Sequence, residues 1–127
     1  MENERTSRLD IHPPRVLDAP LLTFDLRLAM DRLKHEDVWM KEGHNSITLM
    51  KNHGMRIVMT ALRQQAEIKP HQTKSTISIQ VIEGKLNLIT ENDSIILKKG
   101  HLLTLHANIS HSLRALKESI ILQTIAL

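Results

Sequence analysis

Gln65-Ala66-Glu67-Ile68-Lys69-Pro70-His71-Gln72-Thr73, continuing through Thr76–Glu83 to Gly84, is one of two stretches on which the fold of this 127-residue chain turns. The other is Gly100-His101-Leu102-Leu103-Thr104-Leu105-His106-Ala107-Asn108-Ile109-Ser110-His111. The first carries a period of two. Successive side chains of a strand point to opposite faces, so if Thr73 faces an interior, Ile77, Ile79 and Val81 face it too. Ser78 and Gln80 then face away. That is the apolar-in, polar-out alternation of a barrel wall.

The same texture extends on both sides. Ser46–Lys51 and Met55–Leu62 read as strands flanking Asn52-His53-Gly54, a tight turn because Asn and Gly tolerate positive φ. Lys85–Thr90, Ser94–Lys98, Leu102–Leu105, Ser112–Leu116 and Ser119–Ile125 follow, punctuated by Gly84, Glu91-Asn92-Asp93 and Lys99-Gly100. Many short strands at regular spacing predict an antiparallel barrel or sandwich rather than a parallel α/β sheet. Upstream, Asp25 is a good N-cap, and Leu26, Met30 and Leu33 recur on one face of a helix fading near Trp39 and leaving at Gly43. Residues 1–24 hold Pro13, Pro14 and Pro20 and no periodicity; Leu17, Leu21 and Leu22 suit an arm lying on the barrel or on a partner. The expected organisation is arm 1–24, helix 25–42 and barrel 43–127.

Composition bounds the rest. Hydrophobic residues are 41% and charged residues 24% of the chain, an ordinary globular balance. Phe24 and Trp39 are its only aromatics, so the core is aliphatic, with six Met to fill gaps. The absence of Cys excludes disulfides, thiolate metal sites and cysteine nucleophiles. No apolar run approaches a membrane span and Met1–Arg8 lacks the apolar stretch of a secretory signal, so cytoplasmic residence is the expectation. A net charge of +3 is spread along the chain without a basic stripe or stacking aromatics, which argues against a nucleic-acid partner.

The two quoted stretches resemble the two motifs of the cupin superfamily. The first family motif is Gly, five residues, His-x-His, three or four residues, Glu or Gln, six residues, Gly. The second is Gly, five residues, Pro-x-Gly, two residues, His, three residues, Asn. The spacing matches without gaps: His71 and Gly84 fall on the first motif's leading histidine and closing glycine, Gly100 and His111 on the second motif's glycine and histidine. Gln65 stands for the opening glycine, Thr73 for the second histidine and Ile77 for the carboxylate or amide ligand. His106 stands for the proline, Asn108 for the glycine and Ala115 for the final asparagine. The resemblance implies an all-β, antiparallel jelly-roll barrel with a pocket near His71, Thr73, Ile77, Ile79 and His111, and a homodimer.

Cupins that bind metal use three His and one Glu or Gln; here His71 and His111 remain at those positions, with His106, in the turn before the His111 strand, as the candidate third ligand. Isoleucine has no donor atom and a neutral Thr hydroxyl is a poor ligand, so any divalent transition metal would be held weakly. Without metal, two imidazoles near Thr73 offer donors and acceptors to a small polar or anionic molecule. Imidazole can also serve as acid or base, but no nucleophile or second catalytic group is identifiable. The leading reading is a barrel that binds a small molecule without catalysis. The alternatives are a metal-dependent oxygenase or isomerase, and a structural module. His53 is explained by its turn, His35, His44 and His101 by surface positions, and Lys98-Lys99 by solvation before a glycine. Arg114 has the parity opposite to His111 and is expected to point outward.

Overall fold

A computed structural model describes residues 16–127 except Gln72, and gives the backbone alone for Pro70 and His71. The expected arm before Val16 therefore lies outside the described residues. From Val16 to Asp25 the chain is irregular; Lys51 N donates to Leu17 O at 3.0 Å, and Phe24 packs under the helices.

Helix α1 spans Leu26–His35, and the Asp25 side chain accepts from Leu28 N at 3.1 Å. The single helix expected as far as Trp39 is two. Glu36 is extended (φ −89, ψ 152), ending α1 and opening α2, Asp37–Glu42. The break has a tertiary cause. Asn45, 7% exposed on the first strand, donates from Nδ2 to Leu33 O at 3.0 Å and to Glu36 Oε1 at 2.7 Å. It satisfies one of the carbonyls that the end of α1 leaves unpaired. The turn swings Trp39 onto the sheet, where it is buried beneath the Arg63 guanidinium, 5.2 Å from the ring centroid. Gly43 ends α2 with φ 78, its N–H donating to Trp39 O.

The strands are β1 His44–Lys51, β2 Met55–Leu62, β3 Glu67–His71, β4 Ile77–Glu83, β5 Lys85–Thr90, β6 Ser94–Lys98, β7 Leu102–Leu105, β8 His111–Ala115 and β9 Ser119–Ala126. All pairings are antiparallel. A five-stranded sheet in the order β1-β2-β9-β4-β7 faces a four-stranded sheet in the order β3-β8-β5-β6. The sequence pattern did not announce β3, because Pro70 and alternating charge disguise it.

Two aliphatic layers result. Between the sheets lie Leu62, Ile77, Ile79, Val81, Leu86, Leu88, Leu113 and Ile121, all buried. The parity read from the sequence holds: Ile77, Ile79 and Val81 are buried while Gln80 is exposed. On the other face of β1, β2 and β9, the residues Leu49, Met59, Ala61 and Ile120 receive Ala29, Leu33 and Trp39 from the helices. Among the described residues no helix is long and apolar enough to cross a membrane.

Candidate functional site

The barrel has two ends of different chemistry. At one end lie the β1–β2, β3–β4, β5–β6 and β7–β8 connections, and the strand termini at His71, Ile77, Thr90, Leu105 and His111. The other end holds Gly84 and the β6–β7 and β8–β9 turns.

At the first end, register sets His111 opposite His71 on one side and Thr90 on the other. A bulge in β3 between Ile68 and His71 brings about that alignment. His111 shares its parity with Leu113 and Ala115 of the inner core. His111 is 2% exposed, and its Nδ1 lies 3.0 Å from Ile109 O. A carbonyl only accepts, so in this contact Nδ1 is the donor. The ring is oriented by its own loop.

The remaining expected site residues are placed differently. Thr73 is half-buried and its hydroxyl donates to Ser75 O at 3.0 Å, within its own turn. Asn108 N donates to Thr73 O at 2.7 Å, so the two motif loops are tied together by backbone. Ile77 and Ile79, 3% and 0% exposed, belong to the aliphatic core. His106 is exposed on the β7–β8 connection. Arg114 is exposed and points outward, donating to Gln65 Oε1.

Backbone conformation agrees with the motif alignment at every glycine position. Gly84 and Gly100 have φ of 94 and 89, and Gln65 and Asn108, standing where the family has glycine, have φ of 75 and 67. Only glycine, and to a lesser degree Asn, enters this region readily. The chain keeps the turns after losing two of the residues that make them easy.

The metal-binding set is another matter. Ile77 at a ligand position has no donor atom and is sealed in the core. Among the described residues no group of three or more His, Cys, Asp or Glu is placed to hold a metal ion. The residues present therefore do not fit the family's three-histidine, one-carboxylate site.

Sequence reading missed three polar residues facing inward. Arg56, Gln123 and Thr90 share faces with Ile125, Ile79 and His111 through the ladders. Arg56 Nε is buried with no hydrogen-bond partner among the described residues. The signal was present in Met55–Leu62: taking Leu62 as inward makes Arg56 inward too, six residues earlier at the same parity.

Shallow cavities open at both ends. One of about 340 Å³ lies between the β5–β6 turn and the β7–β8 connection, lined in part by Thr90, Glu91, Asp93, Asn108 and Ser110. A neighbour of about 300 Å³ shares Thr90, Glu91 and Ser110 with it and reaches His111. At the opposite end Lys85, Lys98, Lys99 and Lys117 surround Gly84 in a cavity of about 450 Å³. Lys99 is paired with Glu83 at 3.2 Å and is 70% exposed, which is the solvated state expected of it.

Neither a protein-family model nor a curated protein matches the sequence. Solved structures do. An RmlC-like cupin from Shewanella frigidimarina superposes with a TM-score of 0.64 at 18% identity, covering 68% of this chain and 78% of that one. KdgF from a Halomonas species gives 0.65 at 18% identity, over 72% and 83%. Salicylate 1,2-dioxygenase from Pseudoaminobacter salicylatoxidans, solved as adducts with gentisate, gives 0.77 at 18% identity. That match takes in 95% of this chain but 39% of the dioxygenase, so it extends beyond the barrel of this chain. In architecture, this chain has the fold of the cupins among these structures.

Proposed function

We propose that this cupin binds a small molecule at the histidine end of its barrel, without a metal-dependent reaction. The observation that carries the reading is His111, buried and set opposite Thr90 at one mouth of a largely aliphatic interior. Polar groups gathered at one mouth of a largely apolar barrel have the make-up of a small-molecule recognition site. The cavities beside Thr90 and Ser110 supply an entrance. The solved relatives carry different roles in their names, so none of them supplies a substrate.

Two measurements test this. The first is ¹H–¹⁵N NMR of the full chain against a panel of small organic acids, amides, polyols and amino acids. The expected outcome is saturable shifts at Thr90, Ser110 and His111 with at least one of them, lost in His111→Ala. If the whole panel leaves these amides unmoved, the binding reading fails and the scaffold reading replaces it. The second is metal analysis of untagged protein purified without a nickel column. Near-stoichiometric Fe, Mn, Ni or Zn, lost in His71→Ala and His111→Ala, would establish the metal-dependent enzyme instead.

A further inference from the structure

We propose that the molecule bound at the histidine end is a carboxylate with an apolar body, and that Arg56 supplies its counter-charge. The inference rests on the binding reading above and adds the ligand's chemistry to it.

Arg56 is the second residue of β2. Ile57, Met59 and Ala61 pack beneath the helices, so Arg56, Val58, Thr60 and Leu62 face the barrel interior, where Leu62 joins the core. Across the sheet its row reads Lys51, Arg56, Ile125, Ile77, Leu105. The next row inward reads Thr48, Val58, Gln123, Ile79, Leu103. Neither row holds a carboxylate, and at the same end of the other sheet lie His111 and Thr90. The acids nearest by topology are disposed elsewhere. Glu67 is exposed, Glu83 pairs with Lys99 at the opposite end, and Glu91 and Asp93 are exposed in the β5–β6 turn.

A guanidinium cannot shed its proton to escape burial, as a lysine or a histidine can. Burying its Nε with no acceptor among the described residues therefore costs stability that packing alone does not return. The missing component is an acceptor with negative charge. Carboxylate matches the guanidinium fork through two parallel N–H···O bonds, one of them from Nε. The adjoining Leu103, Leu105 and Ile125, only partly buried, would accept an aliphatic body rather than a second charge.

The test uses NMR titration of the full chain with sodium hexanoate, hexanamide and inorganic phosphate at constant ionic strength. Hexanoate is expected to shift Val58, His111 and Ile125 saturably, with hexanamide and phosphate at least tenfold weaker. Arg56→Gln should weaken hexanoate at least tenfold and leave hexanamide unchanged, with Arg56→Lys intermediate. Equal affinity for acid and amide, or tighter binding of phosphate, overturns the carboxylate while histidine-end binding stands. Silence from all three probes at these amides overturns it as well, and the wider panel then decides separately whether the end binds anything. A ligand-free arm is independent of the probe. Arg56→Met should raise the Tm by a few degrees, since it removes a buried Nε–H that has no acceptor among the described residues; a lower Tm shows a supporting structural role and sinks the proposal.

Discussion

Gly84 and Gly100 have nearly the same left-handed backbone, yet they answer to different constraints. A Cβ on Gly84 would fall onto Ser119 Oγ and the Glu118 carbonyl, whereas one on Gly100 would meet nothing within 4 Å. Gly100→Ala should therefore lose about 1 kcal/mol, the conformational term alone. Gly84→Ala should lose about 2–4 kcal/mol, because Ser119 is wholly buried and its Oγ accepts from Lys85 N at 3.0 Å. Denaturant melts of the two variants check the contrast; equal losses would show that space at Gly84 is irrelevant. Gln65 presents the reverse situation, a long side chain held at φ 75. Gln65→Gly should leave stability unchanged or raise it by up to about 1 kcal/mol, with relief of strain set against the lost Arg114 bond.

At the scale of elements, the helical pair is attached to the barrel through one buried layer and one buried amide. Asn45 holds the end of α1 and the start of α2 together from β1. Asn45→Ala should cost about 1–3 kcal/mol, because the Leu33 carbonyl is left without its partner in a buried place. Leu33→Ala, which opens a cavity between helix and sheet, should cost about 2–5 kcal/mol. Both losses should appear in equilibrium denaturation, while amide shifts at Thr90 and His111 stay in place, since these lie in the opposite sheet. Movement of the histidine end in either variant would show that helices and site are coupled.

For the whole molecule, the two ends of the barrel divide the labour. The interior below the histidine row is filled with aliphatic side chains, which stabilise the fold and leave chemistry to the mouth. Separate turns gather four lysines at the far end, where solvent reaches them. Assembly belongs to this scale as well. Leu102, 64% exposed on the edge strand β7, and Met40, 66% exposed on α2, are exposed apolar side chains at opposite edges of the larger sheet. We expect a homodimer, with light scattering giving about twice the 14.5 kDa of one chain; the mass of a single chain would contradict it.

Much of this architecture was legible in order along the chain. Met55–Leu62, Lys85–Thr90, Ser94–Lys98 and Leu102–Leu105 were read with their observed bounds, because period-two patterning and turn residues are local properties. The cupin fold was legible through the resemblance of two stretches to the family's motifs, carried by the spacing of His71, Gly84, Gly100 and His111. The break at Glu36 was not legible, since its cause is Asn45, a residue of the next element folded back on the helix end. Nor was β3, whose pairing with β8 is a long-range contact that local pattern does not encode. The site divides the same way. His71 and His111 were identifiable by spacing, but their direct opposition depends on a bulge, and Arg56 became visible as an interior charge only when the sheets closed. Local periodicity determines which residues form strands; the closing of the barrel decides which polar groups end up inside it.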